Sequence, residues 1–197
     1  EAGSWIIEDD YDSEFRYQGR PLPALKSLDR QDRVIYAGTF SKVMFPGLRL
    51  AYAVVPLEVV PRFQAVSSNL NAGCPYLLQA SVADFMAQGH FARHLKKMRL
   101  LYAERRAVAQ RSFQQVLGDR LRIDLQPGGL HLLGQIQDGD NDSLVAQRAR
   151  ALGLATHPLS RWYIDAAPRQ GLLMGFANIT SEAQALQLAG QIQQAFV

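Results

Sequence analysis

Residues 36–52 read Tyr-Ala-Gly-Thr-Phe-Ser-Lys-Val-Met-Phe-Pro-Gly-Leu-Arg-Leu-Ala-Tyr, and their order of strand, turn and strand decides how the chain folds. The apolar run that enters this stretch predicts a strand over Val34–Phe40, with Lys42 at its end. Phe45-Pro46-Gly47 marks a tight turn, and Leu48–Val55 predicts the next strand, opened by Arg49 and closed by Pro56. Six residues separate Lys42 from Arg49. A parallel crossover needs about a dozen or more. The two strands are therefore expected to be antiparallel neighbours, with Lys42 and Arg49 at one edge.

Upstream, Trp5-Ile6-Ile7 is a short apolar run ending in Glu8-Asp9-Asp10, and it predicts a buried strand with carboxylates at its C-terminal edge. The link from Asp10 to Arg33 is long enough for a crossover, so this strand can run parallel to the one ending at Lys42. Asp9, Lys42 and Arg49 then gather along the edge where open α/β sheets bind ligands. A carboxylate, an amine and a guanidinium at one edge suit pyridoxal phosphate. That cofactor needs a lysine for its aldehyde, an anion to keep its ring nitrogen protonated, and a cation with hydroxyls for its phosphate. Arg49 would favour the neutral, nucleophilic amine of Lys42, and a guanidinium pairs with phosphate in a bidentate way that an ammonium cannot match. The plainer reading stands beside this one: lysines often follow strands, and an acidic cluster at a strand end is often a solvated turn.

Working outward, Ser13–Asp32 reads as loop with one turn of helix, because Gly19, Pro21 and Pro23 interrupt it. Helices are expected over Leu57–Ser68 and Tyr76–Gln88, separated by a loop at Asn69–Pro75. Phe91–Leu117 reads as one long helix or two abutting ones. Strands are expected at Leu121–Leu125 and Leu130–Ile136 around Pro127-Gly128-Gly129, and again at Leu172–Ala177. Ser143–Leu152, with Gly153 as C-cap, and Glu182–Phe196 read as helices. The expected division is an α/β part over residues 1–68, a helical connector over 69–120 and a small α/β part over 121–197.

With 197 residues, 48% of them apolar and 20% charged, the chain has the composition of a folded globular protein. The net charge of +3 is too diffuse for a nucleic-acid arm. The basic stretch Arg93–Arg111 carries its charges at helical spacing among Leu95, Met98, Leu101 and Val108, the pattern of a solvated helix face. One cysteine, Cys74, excludes an intrachain disulfide. No apolar stretch is long enough to span a bilayer, and the start lacks the pattern of a signal peptide. A cytoplasmic setting is expected, without a metal site. A strand so close to the first residue needs neighbours, so the chain is expected to be a fragment.

Residues 5–17, Trp-Ile-Ile-Glu-Asp-Asp-Tyr-Asp-Ser-Glu-Phe-Arg-Tyr, resemble the strand that carries the ring-nitrogen aspartate in fold-type-I aminotransferases. Residues 36–52 resemble that family's lysine motif with its phosphate arginine. Both are most similar to the MocR subgroup of GntR-family regulators, in which a winged-helix DNA-binding domain precedes an aminotransferase-like domain. Residues 94–106, 128–131, 158–160 and 172–177 resemble that subgroup too. The resemblance implies the lysine-bearing half of a fold-type-I large domain, followed by a C-terminal small α/β domain. It implies that Asp9 pairs with the pyridine nitrogen, Tyr11 bonds the ring hydroxyl and Lys42 forms the Schiff base. Thr39, Ser41 and Arg49 would hold the phosphate, with Ser41 alternatively a turn residue. Glu8 and Asp10 fit local turn and salt-bridge roles. Tyr36 fits packing, or a reach to the partner's site.

The sequence also departs from the family. Leu173 stands where many aminotransferases carry the arginine for the substrate carboxylate, which leaves Arg161 or Arg169 as substitutes. His131 reads as a packed or exposed histidine, or as a border of the substrate pocket. The family's glycine-rich phosphate loop, ring-stacking aromatic and ring-hydroxyl asparagine all precede the aspartate strand and are not in these residues. Three functions follow as alternatives. The first is a PLP-binding, effector-sensing part of a MocR-type regulator, homodimeric, sensing an amino-acid-like effector and meeting DNA only through an N-terminal domain not in this chain. The second is part of a free-standing class I/II aminotransferase acting on an amino acid. The third is a non-catalytic dimerisation module.

Overall fold

The computed structural model describes residues 3–71 and 75–196. They fall into two compact units, Glu1–Lys97 and Met98–Val197.

In the first unit, β1 (Ile6–Asp10), β2 (Val34–Thr39) and β3 (Ala51–Val54) form a sheet in that order. β1 runs parallel to β2 and β2 antiparallel to β3, as the link lengths require. The crossover from β1 to β2 contains one helical turn, α1 (Leu25–Leu28). That turn lacks a cap of its own. Glu8 supplies one from β1, its carboxylate accepting from Leu25 N at 2.8 Å and Lys26 N at 3.0 Å. Asp29 closes the crossover, accepting from Gln31 N, Arg33 N and Val34 N, and so fixes where β2 begins.

The two strand ends that flank the Lys42 turn differ from expectation. β2 stops at Thr39, and Phe40–Val43 form a one-turn helix, α2. The reason is a cap: Thr39 is extended, and its Oγ1 accepts from Ser41 N at 3.1 Å, turning the chain out of the strand. β3 begins at Ala51 rather than Leu48, because Pro46–Leu48 form a 3-10 turn and Arg49 adopts a left-handed conformation. The pleat assigns the faces. Ile7, Asp9, Ile35, Ala37, Thr39, Ala51 and Ala53 share one face, while Glu8, Asp10, Tyr36, Gly38, Tyr52 and Val54 share the other.

α3 (Val60–Asn71) runs three residues beyond the expected helix end, and residues 72–74 of the expected loop, including Cys74, lie outside the described residues. α4 (Tyr76–Ala87) ends at Gln88 and Gly89, the latter at φ +73°. α5 (His90–Leu117) is one continuous helix of 28 residues, which settles the choice between one helix and two.

The second unit builds an antiparallel sheet in the order β4–β5–β7–β6 from β4 (Leu121–Ile123), β5 (His131–Ile136), β6 (His157–Pro158) and β7 (Gly171–Gly175). α6 (Asp142–Ala151) and α7 (Glu182–Gln194) are capped by Asn141 and Ser181, whose side chains accept from Ser143, Leu144 and Gln184 backbone N–H groups. Gly153, at φ +83°, ends α6 in a Schellman motif: Leu154 N donates to Ala149 O and Gly153 N to Arg150 O. Leu121, Leu132, Leu172, Val145, Ala149, Ala189 and Ile192 are all buried in this unit.

Candidate functional site

The C-terminal edge of β1 and β2 collects the reactive groups of the first unit. Asp9 is the penultimate residue of β1, exposed, and on the same face as Thr39. Tyr11 follows directly. The charge of Asp12 first, then burial, then the charge of Asp9 push its phenol above the ordinary value, so it remains a hydrogen-bond donor. Thr39 ends β2 and caps the turn that carries Ser41 and Lys42. Lys42 stands exposed on α2, whose opposite side, Phe40 and Val43, is buried.

That turn is held from three directions. Phe40 N donates to Leu50 O at 3.0 Å, tying it to the start of β3. The Phe40 ring packs on Tyr52 and Phe91, with centroids 5.3 and 5.9 Å away. His94 of α5 bonds Val43 O through Nε2 at 2.8 Å, which satisfies a carbonyl at the end of α2. An otherwise marginal single turn is thereby fixed, and Lys42 with it. Behind the turn lies a cavity of about 270 Å³ bordered by Phe40, Val43, Tyr52, Met86 and Phe91.

Arg49 is exposed and sits at φ 48°, ψ 34°. A non-glycine residue there costs roughly 1–2 kcal/mol. Holding a guanidinium at that strain, with Gly47 two residues away, is the kind of outlier found where a side chain has a task.

Asp9, Tyr11, Thr39, Ser41, Lys42 and Arg49 thus belong to one end of one sheet. Arg161, in the 3-10 turn Leu159–Trp162, and Arg169, in the loop before β7, are exposed side chains of the second unit. His131 opens β5 and is exposed. Glu8 and Asp10 have local partners. Glu8 caps α1, and Asp10 accepts from Ser13 N at 3.2 Å, Ser13 Oγ at 2.6 Å and Tyr36 Oη at 2.9 Å. Among the described residues these local contacts are hydrogen bonds. Sequence reading missed His94, whose helical position gives no hint of the carbonyl 51 residues away in sequence that it meets.

A parallel strand, a lysine on a capped turn and a returning antiparallel strand define a mixed α/β protein of the fold-type-I aminotransferase class. The chain belongs to the aminotransferase class I and II family, whose model matches residues 2–139. It is 43% identical over 176 residues to the probable rhizopine catabolism regulatory protein MocR of Rhizobium meliloti, covering 89% of this chain and 36% of that protein. It is 36% identical over 182 residues to the HTH-type transcriptional regulator YhdI of Bacillus subtilis strain 168, covering 92% of this chain and 39% of that one. Among solved structures, LysN, an alpha-aminoadipate aminotransferase from Thermus thermophilus complexed with N-(5'-phosphopyridoxyl)-L-leucine, superposes with a TM-score of 0.84. It is 24% identical, with 98% of this chain and 50% of that one covered. The chain therefore spans about half of a solved aminotransferase and less than half of the regulators, and it is a partial domain.

Proposed function

We propose that this chain is the pyridoxal-phosphate-binding, effector-sensing portion of a MocR/GntR-type transcription regulator, with Lys42 as the lysine that joins the cofactor. The observation that carries the reading is the gathering of Asp9, Thr39, Lys42 and Arg49 at one sheet edge. The similarity to MocR and YhdI supports the setting, and the pyridoxyl complex of LysN supports the cofactor.

The donor set fits this cofactor. Asp9 offers a carboxylate to hold a proton on the ring nitrogen. The phenol of Tyr11, kept protonated, would donate to the ring hydroxyl oxygen. Arg49 and the hydroxyls of Thr39 and Ser41 supply a cation and donors for the phosphate. Lys42 would hold the cofactor through its amine, which condenses with an aldehyde by releasing water, and that amine would be the group an effector amine replaces. When bound, pyridoxal phosphate supplies that aldehyde and a ring that withdraws electrons from the substrate α-carbon. In this reading residues 1–68 belong to the cofactor-binding large domain, 69–120 connect, and 121–197 form the small domain. The effector is amino-acid-like, the assembly is a homodimer in the cytoplasm, and DNA is met by a part of the relatives that this chain does not span.

The test is an absorbance spectrum with added pyridoxal phosphate, before and after borohydride reduction, for wild type and Lys42→Ala. A visible band that reduction fixes to Lys42, and that the variant lacks, is expected. A wild-type protein with no band and no label on Lys42 would sink the assignment. The aminotransferase fold favours a second reading, an enzyme completing transamination. Amino transfer to a keto acid over many turnovers would select it, whereas a single exchange at Lys42 without turnover selects the sensor.

A further inference from the structure

We propose that Tyr36 and Asp10 are positioning residues for this site: a belt of side chains, Tyr52 packed on Tyr36 and Tyr36 hydrogen-bonded through Asp10 to Ser13, crosses the back of the sheet and fixes the strand end and turn that carry Asp9 and Tyr11. The proposal rests on the cofactor reading of Asp9, Tyr11 and Lys42, and it concerns residues on the face opposite Asp9.

The belt is built from register. Glu8 lies opposite Tyr36, Asp10 opposite Gly38, and Gly38 opposite Tyr52. Position 38 has to be glycine, because a Cβ there would stand 2.4 Å from Tyr52 Cζ. That gap lets the Tyr52 ring lie across β2 beside Tyr36, with centroids 6.0 Å apart. Tyr36 Oη then donates to Asp10 Oδ2 at 2.9 Å. The same carboxylate accepts from Ser13 N and Ser13 Oγ, which closes the turn after β1. Three strands are thus linked by side chains at the edge where backbone pairing ends. Burial first, then the hydrogen bonds to Tyr52 and Asp10, push the Tyr36 phenol far above its ordinary value, so its proton is always present to donate.

The need for such a belt follows from topology. The ladder between β1 and β2 ends at the pair Asp10–Gly38, so β2 does not hold the chain by backbone bonds once it passes Asp10. Asp9 and Tyr11 flank Asp10, and their side chains work only if that backbone keeps one path. A charged hydrogen bond to Asp10, made from the neighbouring strand, supplies the constraint. A site loosened by small displacements loses affinity even when every group that touches the ligand is intact.

The experiment uses Tyr36→Phe, which keeps the ring packing, Asp10→Asn, which keeps the shape, and Asp9→Asn, alone and combined with Tyr36→Phe. Two readouts are taken: hydrogen exchange of the amides of residues 11–15 without cofactor, and pyridoxal phosphate affinity with the pH midpoint of the visible band. Tyr36→Phe is expected to speed exchange in residues 11–15 several-fold and to weaken affinity roughly tenfold. Asp10→Asn should do the same. In the Asp9→Asn background Tyr36→Phe should add little to the loss and leave the band's midpoint where Asp9→Asn puts it, because the belt acts through Asp9. Unchanged exchange at residues 11–15, or losses that simply add in the double variant, overturns the proposal. Borohydride labelling of Lys42 in wild type is read separately. Its absence defeats the cofactor assignment, while the exchange data still report on the belt.

Discussion

Arg49 shows how a single residue can be selected against its own backbone preference. The chain must reverse between α2 and β3, and the left-handed conformation at position 49 accomplishes this at φ 48°. Glycine is the residue that adopts this conformation without penalty. The Arg49 side chain is exposed and contributes little burial, so under the proposed function its guanidinium is what offsets the strain. Two variants separate the backbone from the side chain. Arg49→Ala keeps the strain and removes the cation, while Arg49→Gly removes both. In urea denaturation the glycine variant should be more stable than the alanine variant by about 1 kcal/mol. Both should lose pyridoxal phosphate affinity to the same extent. A glycine variant no more stable than alanine would show that the turn is unstrained, and unequal losses of affinity would show that backbone shape, not charge, is what position 49 contributes.

At the scale of elements, the crossover between β1 and β2 depends on two carboxylates that complete backbone hydrogen bonding, Glu8 for α1 and Asp29 for the entry to β2. The Val34 amide first, with those of Gln31 and Arg33 and the Lys26 ammonium, holds the Asp29 carboxyl down at about 2 from an ordinary 3.8. A group depressed in the folded state contributes stability above its unfolded value and loses it as pH falls through the folded one. The contribution of Asp29 is therefore complete above roughly pH 5 and disappears between about pH 4 and pH 2. Asp29→Asn should flatten that part of the stability profile, measured as urea midpoints from pH 5 to pH 2. An unchanged slope would mean that the unfolded chain holds the proton equally weakly. Neither carboxylate was legible in this role from sequence, whereas the strands they connect were. Alternation and apolar runs reveal elements because burial repeats with their period, and the short link from Lys42 to Arg49 gave the antiparallel pairing. Capping depends on one atom meeting another across 17 residues for Glu8 and Leu25, and no local pattern announces that. The same limit hid the α2 turn, since a threonine at a strand end reads as strand until its hydroxyl is seen to accept from Ser41 N. Asp142 is a parallel case in the second unit. Fully buried, it accepts from Ser160 N, Ser160 Oγ and Gly171 N and so closes the base of the loop that carries Arg161 and Arg169. In sequence it is only one aspartate among several near a helix start.

For the molecule as a whole, the two units differ in how completely their sheets are covered. In the second, β5 is paired on both sides, and Leu121, Leu132, Leu172 and Met174 lie buried with Val145, Ala149, Ala185 and Ile192 of α6 and α7. In the first, all four residues of β3 are exposed, Ile7 of β1 is 73% exposed, and α3 borders an open cleft of about 560 Å³ with Phe63, Val66 and Leu70. Apolar surface of that kind is what a partial domain leaves uncovered, in keeping with a chain that spans 50% of a solved aminotransferase. The difference has an energetic consequence. Local opening costs least where few apolar contacts are lost and most where a strand is buried between neighbours. Amides of β5 and β7 should therefore exchange at least about a hundredfold more slowly than those of β3, a gap of roughly 3 kcal/mol in opening free energy. Pyridoxal phosphate should slow exchange at β1, β2 and α2 of the first unit, leaving β5 and β7 unchanged. Equal protection of β3 and β5 without cofactor would show that the first unit is stabilised by something other than its own core. Slowing confined to the second unit would place cofactor binding away from Lys42.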